Sequence, residues 1–119
     1  MSARYIAGRA AEYEARTILQ NAGYEVMRAA GSHGLFDLIA WKNRVDILLI
    51  QVKRTRLPVS ASAYHGEITR IAEAVSNDLL CGDAHLWILS TKGWIRYLIT
   101  SGGAVPVTWE DGDGVLNSS

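Results

Sequence analysis

Three polar side chains bracket two apolar runs in the first half of this chain: Asp37 opens Leu38-Ile39-Ala40-Trp41, and Gln51 and Lys53 close Ile47-Leu48-Leu49-Ile50. Alternate residues of an extended chain share a face, so Gln51 and Lys53 point one way and Val52 the other. A carboxylate, an amide oxygen and an ammonium placed together suit metal-assisted hydrolysis of a phosphodiester. That reaction needs a water turned toward hydroxide, an offset for the charge gathering on the phosphoryl oxygens, and stabilisation of the leaving oxygen. A divalent cation on oxygen ligands contributes to all three, and a lysine can stabilise the phosphate or orient the water. Magnesium prefers oxygen ligands and keeps several of its waters.

A further carboxylate can come from the first helix, where Glu12 and Glu14 are the candidates. They lie about 200° apart on a 3.6-residue turn, so only one of them can face the strands. The segment Gly8-Arg9-Ala10-Ala11 puts small residues just ahead of Glu12, which lets that face approach a sheet closely. Glu12 also stands at helical spacing from Arg9 and Arg16 and could form an ordinary surface pair with either.

The elements that must position these groups follow from periodicity. Residues 3–21 are rich in helix formers, with Ile6, Ala10, Tyr13, Thr17 and Leu19 or Gln20 tracing the stripe expected to face the core, and Gly23 supplies a stop. Tyr24–Arg28, Phe36–Trp41 and Val45–Val52 read as strands, the last as the central one, with a glycine-rich loop at 29–34 and a turn at Lys42-Asn43-Arg44. A connection carrying Pro58 leads to a helix running to Leu80, with Ile68, Ile71, Ala72, Val75 and Leu79 at helical spacing. His85–Thr91 and Trp94–Thr100 are two more strands joined at Lys92-Gly93. The expectation is an α/β domain, a mixed five-stranded sheet flanked by helices in the order α-β-β-β-α-β-β, over residues 1–102. Residues 103–119 form a C-terminal extension, partly flexible, with one short apolar piece at Val105–Trp109.

Composition narrows the class. A chain of 119 residues with 49% hydrophobic content makes one folded domain rather than a disordered segment. No apolar run reaches the roughly 18 residues of a membrane span, and the charged N-terminus has no signal-peptide core. The single cysteine, Cys81, makes no internal disulfide, and no Cys/His cluster suggests structural zinc. A cytoplasmic, reducing setting is expected. Net charge is zero, but residues 1–70 hold ten Lys/Arg against six Asp/Glu, an excess of +4 that the remainder of the chain reverses. The basic side chains therefore share a segment with the polar triplet, as a phosphate-facing surface requires. Trp94 and Tyr97 read as core or interface residues, with an apolar surface on the later strands as the candidate twofold contact.

Gly8–Glu12, the stretch Gly23–Ala29, the loop Gly31-Ser32-His33-Gly34, Phe36–Ala40 and Ile47–Lys53 together resemble the PD-(D/E)XK nucleases. Within that superfamily they are most similar to the archaeal-type Holliday-junction resolvases. The resemblance covers roughly residues 8–56. It implies a restriction-endonuclease-like core in which Glu12 is the helix carboxylate, Asp37 a metal ligand, Gln51 the second metal-site oxygen and Lys53 the catalytic lysine. Ser32 would lie in the substrate loop and Arg28 would reach phosphate. The chain departs from the family pattern in three places. Phe36 stands where proline commonly precedes the aspartate, the loop 31–35 is shorter than usual, and Gln51 replaces an acid. An amide oxygen can bind a hard cation but brings no charge.

The function expected is that of a magnesium-dependent DNA endonuclease, with manganese able to substitute, selective for branched DNA and acting as a homodimer. Arg9, Arg28, Ser32, His33, Arg54 and Arg56 are the expected DNA contacts. Two alternatives stand beside it. One is a sequence-specific restriction or homing-type endonuclease. The other is a non-catalytic nucleic-acid-binding module with a decayed site, for which the neutral Gln51 is the best support.

Overall fold

Alanines set how closely the first helix lies on the sheet. Among the described side chains of α1 (Ala3–Asn21) the buried positions are Ala11, Ala15 and Leu19, spaced by four, followed just beyond the helix by Ala22. Of the expected stripe Leu19 is buried, but Ala10 and Thr17 are exposed and Tyr13 is 71% exposed, while the Ile6 side chain lies outside those described. The expectation put the bulkier residues inward, whereas a helix resting close on strands buries its smallest side chains. The structure, a computed structural model, describes residues 3–29, 34–56, 61–109 and 116–118.

The helix ends as expected at Gly23, whose φ of +94° suits glycine, with Tyr24 N–H donating back to Leu19 O at 3.0 Å. Then come β1 (Glu25–Arg28), β2 (Leu38–Trp41) and β3 (Ile47–Arg54), antiparallel neighbours in chain order. A short 3-10 turn at Ala61–Tyr64 leads into α2 (His65–Ser76), which carries the chain to β4 (Asp83–Ser90), parallel to β3. The return strand β5 (Gly93–Thr100) pairs antiparallel with β4.

Two strands extend the sheet beyond the five expected: β6 (Gly103–Trp109) and β7 (Leu116–Ser118), giving seven in the order β1 to β7. Pro106 lacks an N–H for the ladder, and the short apolar piece around it carries no clear alternation, so the segment's strand character comes from pairing with β5. The second helix is also shorter than expected. It stops at Ser76, Asp78 takes a left-handed φ of 55°, and Leu79 is 73% exposed instead of facing the core.

The sheet has a core on each face. Leu38, Ala40, Leu48, Ile50 and Trp87 pack with Ala15 and Leu19 of α1, while Leu49, Leu86, Ile88 and Ile99 pack with Ile68 and Ile71 of α2. Strand β3, buried on both sides, supplies alternate residues to each. At the turn into β4 a Cβ on Gly82 would lie 2.4 Å from Ile47 O, so only glycine fits there. Tyr97 is buried with Leu86 and Ile99, and Trp94 packs edge-on against Trp87 with centroids 5.8 Å apart. Of the two residues expected at a twofold contact, Tyr97 is spent on the core, whereas Trp94 is half-buried. No described helix is long and apolar enough to cross a membrane.

Candidate active site

The ladders bring one end of three strands together. Arg28, last in β1, pairs with Leu38, first in β2, and Leu38 pairs with Ile50. Asp37 and Gln51 are thus the next residues outward on adjoining strands. Asp37 is fastened there by its backbone, its N–H donating to Ile50 O and its carbonyl accepting from Ala29 N–H, both at 2.8 Å. Its side-chain Oδ2 accepts from Val52 N–H at 2.8 Å. Val52 entered the sequence reading only as an apolar spacer; the amide that orients Asp37 is backbone and leaves no trace in residue type.

Burial pushes the Asp37 carboxyl above its ordinary value of 3.8, and the Val52 N–H bond opposes this. Glu12 adds to the rise by like-charge repulsion, while Lys53 and Arg28 counter it. Glu12, Asp37, Lys53 and Arg28 therefore share one electrostatic neighbourhood, although they come from α1, the start of β2, the end of β3 and the end of β1. Lys53 is half-buried and forms no ion pair among the described residues.

Glu12, rather than Glu14, is the helix carboxylate that faces the strands. Its Oε1 accepts from Arg28 Nε at 2.5 Å, with the Glu12 side chain 16% exposed. Glu14 lies round the helix and accepts from Trp94 Nε1 at 3.3 Å. Arg28, sixteen residues further along the chain, therefore holds the Glu12 carboxylate.

Gln51 is 4% exposed. Its Nε2 donates to Gly34 O at 2.9 Å, which fixes the amide orientation, since a carbonyl can only accept. Its Oε1 is buried and meets no hydrogen-bond donor among the described residues. A buried acceptor without a donor costs about 1–3 kcal/mol, so a group that engages it would recover that loss. The contact also ties β3 to the loop that carries Ser32 and His33, both of which lie outside the described residues. Gly34, with φ +84°, closes that loop in a conformation suited to glycine.

Arg9 is exposed on α1, Arg54 is exposed at the end of β3, and Arg56 is exposed just beyond it. Among the described residues no group of three or more His, Cys, Asp or Glu side chains gathers to hold a metal ion. The oxygen donors at this end are instead two carboxylates and one amide, a set of hard ligands with the buried Gln51 Oε1 unsatisfied. Those residues fit a hard divalent cation and offer nothing to a soft one.

Comparison with known proteins agrees with this geometry. A family model described as archaeal Holliday junction resolvase (hjc) matches residues 3–73, the stretch that contains Glu12, Arg28, Asp37, Gln51 and Lys53. The solved structure of Archaeoglobus fulgidus Hjc, a Holliday junction resolvase from an archaeal hyperthermophile, is similar at 21% identity and a TM-score of 0.55, covering 78% of this chain and 73% of that one. At that identity the likeness speaks for the fold. No curated protein matches the chain.

Proposed function

The chain belongs to the archaeal Holliday junction resolvase family, and from that premise we propose a divalent-metal-dependent, structure-selective endonuclease that cuts branched DNA inside the cell through the Asp37 cluster. The observation that carries the assignment is the shared electrostatic neighbourhood of Asp37, Lys53 and Glu12 next to a buried Gln51 oxygen that no described donor meets.

Asp37 and Gln51 would hold the cation, with Glu12 close enough to assist. Bound there, Mg²⁺ or Mn²⁺ would supply an activated water and offset charge on the phosphate. The chain's own residues do the rest. Val52 N–H fixes one Asp37 oxygen, leaving the other for the site. The Lys53 ammonium sits on the same strand face as Gln51, about 7 Å along, where it can orient the attacking water or hold a phosphoryl oxygen. Arg28, held by Glu12, is poised beside the cluster for the scissile phosphate, and Arg9, Arg54 and Arg56 grip the flanking backbone together with Ser32 and His33. A homodimer completes the proposal, because symmetric cutting of two strands needs two sites and one chain offers one cluster.

The test is cleavage of a four-way junction beside a linear duplex of the same arm sequence, with Mg²⁺ and with EDTA. Cutting of the junction that requires metal and is lost in Asp37→Asn and Lys53→Ala supports the reading. Equal cutting of both substrates favours a sequence-directed enzyme, and metal-independent cutting overturns the mechanism. One observation favours a second reading, a DNA-binding module without cleavage: the neutral Gln51, which leaves the cluster short of a third acid. Calorimetry with Mn²⁺ separates the two. Heat of binding at millimolar metal that grows in Gln51→Glu supports the nuclease, and none in either protein supports the module.

A further inference from the structure

Gly34 and Asp37 stand three residues apart on one short stretch of chain, and both are bonded to the strand that carries Gln51. Asp37 N–H donates to Ile50 O at 2.8 Å, and Gly34 O accepts from Gln51 Nε2 at 2.9 Å. Between them Phe36, 7% exposed, anchors the stretch in the core on the α2 side. The two β-strand groups proposed to hold the cation are therefore linked by a closed ring of covalent and hydrogen bonds. Gly34 supplies one corner of that ring, in a left-handed conformation with φ +84°.

The ring fixes more than a spacing. A side-chain amide can turn over and exchange its two ends, but a turned Gln51 would set its oxygen against the Gly34 carbonyl, acceptor against acceptor. The Gly34 carbonyl thus selects the orientation that leaves Oε1, buried and met by no donor among the described residues, for an incoming group. A cation on that oxygen would draw electron density from the amide nitrogen and strengthen its donation to Gly34 O, as charge strengthens a hydrogen bond it assists. A carboxylate at this position would bring charge to the cation but has no proton to give Gly34. We propose that the Gly34 carbonyl is a positioning group for the cation site: it presents the Gln51 oxygen, and cation binding in turn tightens the Gly34 bond, so that the two are coupled through one amide. The inference rests on the nuclease reading above and deepens it, giving the Gln51 amide a task that an ionised acid cannot perform.

Mg²⁺ titrated into the full-length protein without DNA tests it, by calorimetry and by NMR in parallel. Saturating Mg²⁺ is expected to move the Gln51 Nε2 protons and the Gly34 carbonyl carbon downfield together, the signature of a strengthened hydrogen bond between them. In Gln51→Glu the heat of binding should remain while the Gly34 carbonyl stays where it was. Gly34→Ala has open space for its Cβ but strains the backbone at positive φ, which displaces the carbonyl. By reciprocity it should weaken Mg²⁺ binding about fivefold, although Gly34 itself offers the ion nothing. Heat of Mg²⁺ binding in the parent with both resonances unmoved overturns the proposal and leaves Asp37 and Glu12 to hold the ion. A Gly34 carbonyl shift of full size in Gln51→Glu, or unchanged affinity in a folded Gly34→Ala protein, overturns it equally. No Mg²⁺ binding in the parent or in Gln51→Glu overturns the nuclease reading along with it. The parent's own resonances decide the point even where a variant fails to fold.

Discussion

Gln51 and His85 each bury a polar atom that no described group meets, and they do so on opposite faces of the sheet. Gln51 shares its face with Leu49, toward α2, while its cross-strand partner Leu86 is followed on β4 by Trp87, which looks toward α1 together with His85. His85 Nδ1 accepts from Trp87 Nε1 at 3.2 Å. Around it is an aromatic enclosure in which the Arg96 guanidinium lies 4.5 Å from the Trp87 ring and within 6 Å of Trp94 and Trp109. Burial, and then the Arg96 charge, hold the His85 imidazole down to about 4. One orphaned atom thus sits on the strand next to Asp37, whose neighbours include Glu12, Lys53 and Arg28, and the other inside an aromatic core already holding a cation of its own. The difference teaches that an unsatisfied buried atom alone does not mark a site. What marks it is convergent charge from several elements at a place where substrate can arrive.

The contrast can be broken most forcefully at Asp37. Asp37→Asn should lower junction cleavage at least about 1,000-fold, roughly 4 kcal/mol of transition-state stabilisation, in a single-turnover assay. The same change should not destabilise the metal-free fold at neutral pH. Because the folded-state pKa of Asp37 is raised, its ionised form opposes folding as pH climbs from 3.8 through the folded value. An Asn variant that unfolds at lower urea than the parent at pH 7 would show Asp37 to be structural.

His85 has the opposite pH sign. The unfolded chain protonates it near 6.5 and the fold only near about 4, so its contribution is complete above 6.5 and fades as pH falls toward 4. About 3 kcal/mol should be lost across that interval and largely retained in His85→Gln, which keeps an acceptor for Trp87 and does not titrate. Urea denaturation at a series of pH values reads this directly. Arg96→Met, which empties the aromatic enclosure of its charge, should cost about 2 kcal/mol with cleavage unchanged. If cleavage falls in step with stability in a folded Arg96→Met protein, the two regions are not as separate as their positions indicate.

The smallest effect sharpens the contrast most. Gln51→Leu removes the orphaned oxygen together with the bond to Gly34 O, two opposing effects, and should change the stability of the metal-free fold by less than about 1 kcal/mol in urea while reducing Mn²⁺ binding. A gain in stability with metal binding intact would remove Gln51 from the site.

Much of the site was legible because its signals are local. An aspartate opening one apolar run and Gln-Val-Lys closing the next depend only on strand alternation, and the structure places them at one end of adjoining strands. The stripe on α1 was misread because a periodic pattern of alanines carries a weaker signal than Tyr13, and only the close approach of helix to sheet makes alanine the residue to bury. Strand β6 escaped notice for a similar reason: with Pro106 inside it, its extended conformation is a property of the β5 edge it joins.

The amino-acid sequence by itself determined the kinds of groups available, the strand and helix that carry each, and the spacing that sets Gln51 and Lys53 on one face. Tertiary structure alone decided that Glu12 and not Glu14 turns inward, that Arg28 claims it, and that Gly34 O takes one end of the Gln51 amide while the other end meets no donor among the described residues. Those choices are made between residues 16 or more positions apart in the chain, and by backbone amides and carbonyls that every residue possesses. Periodicity can place a side chain on a face. Which distant partner that face meets is settled by how the layers pack.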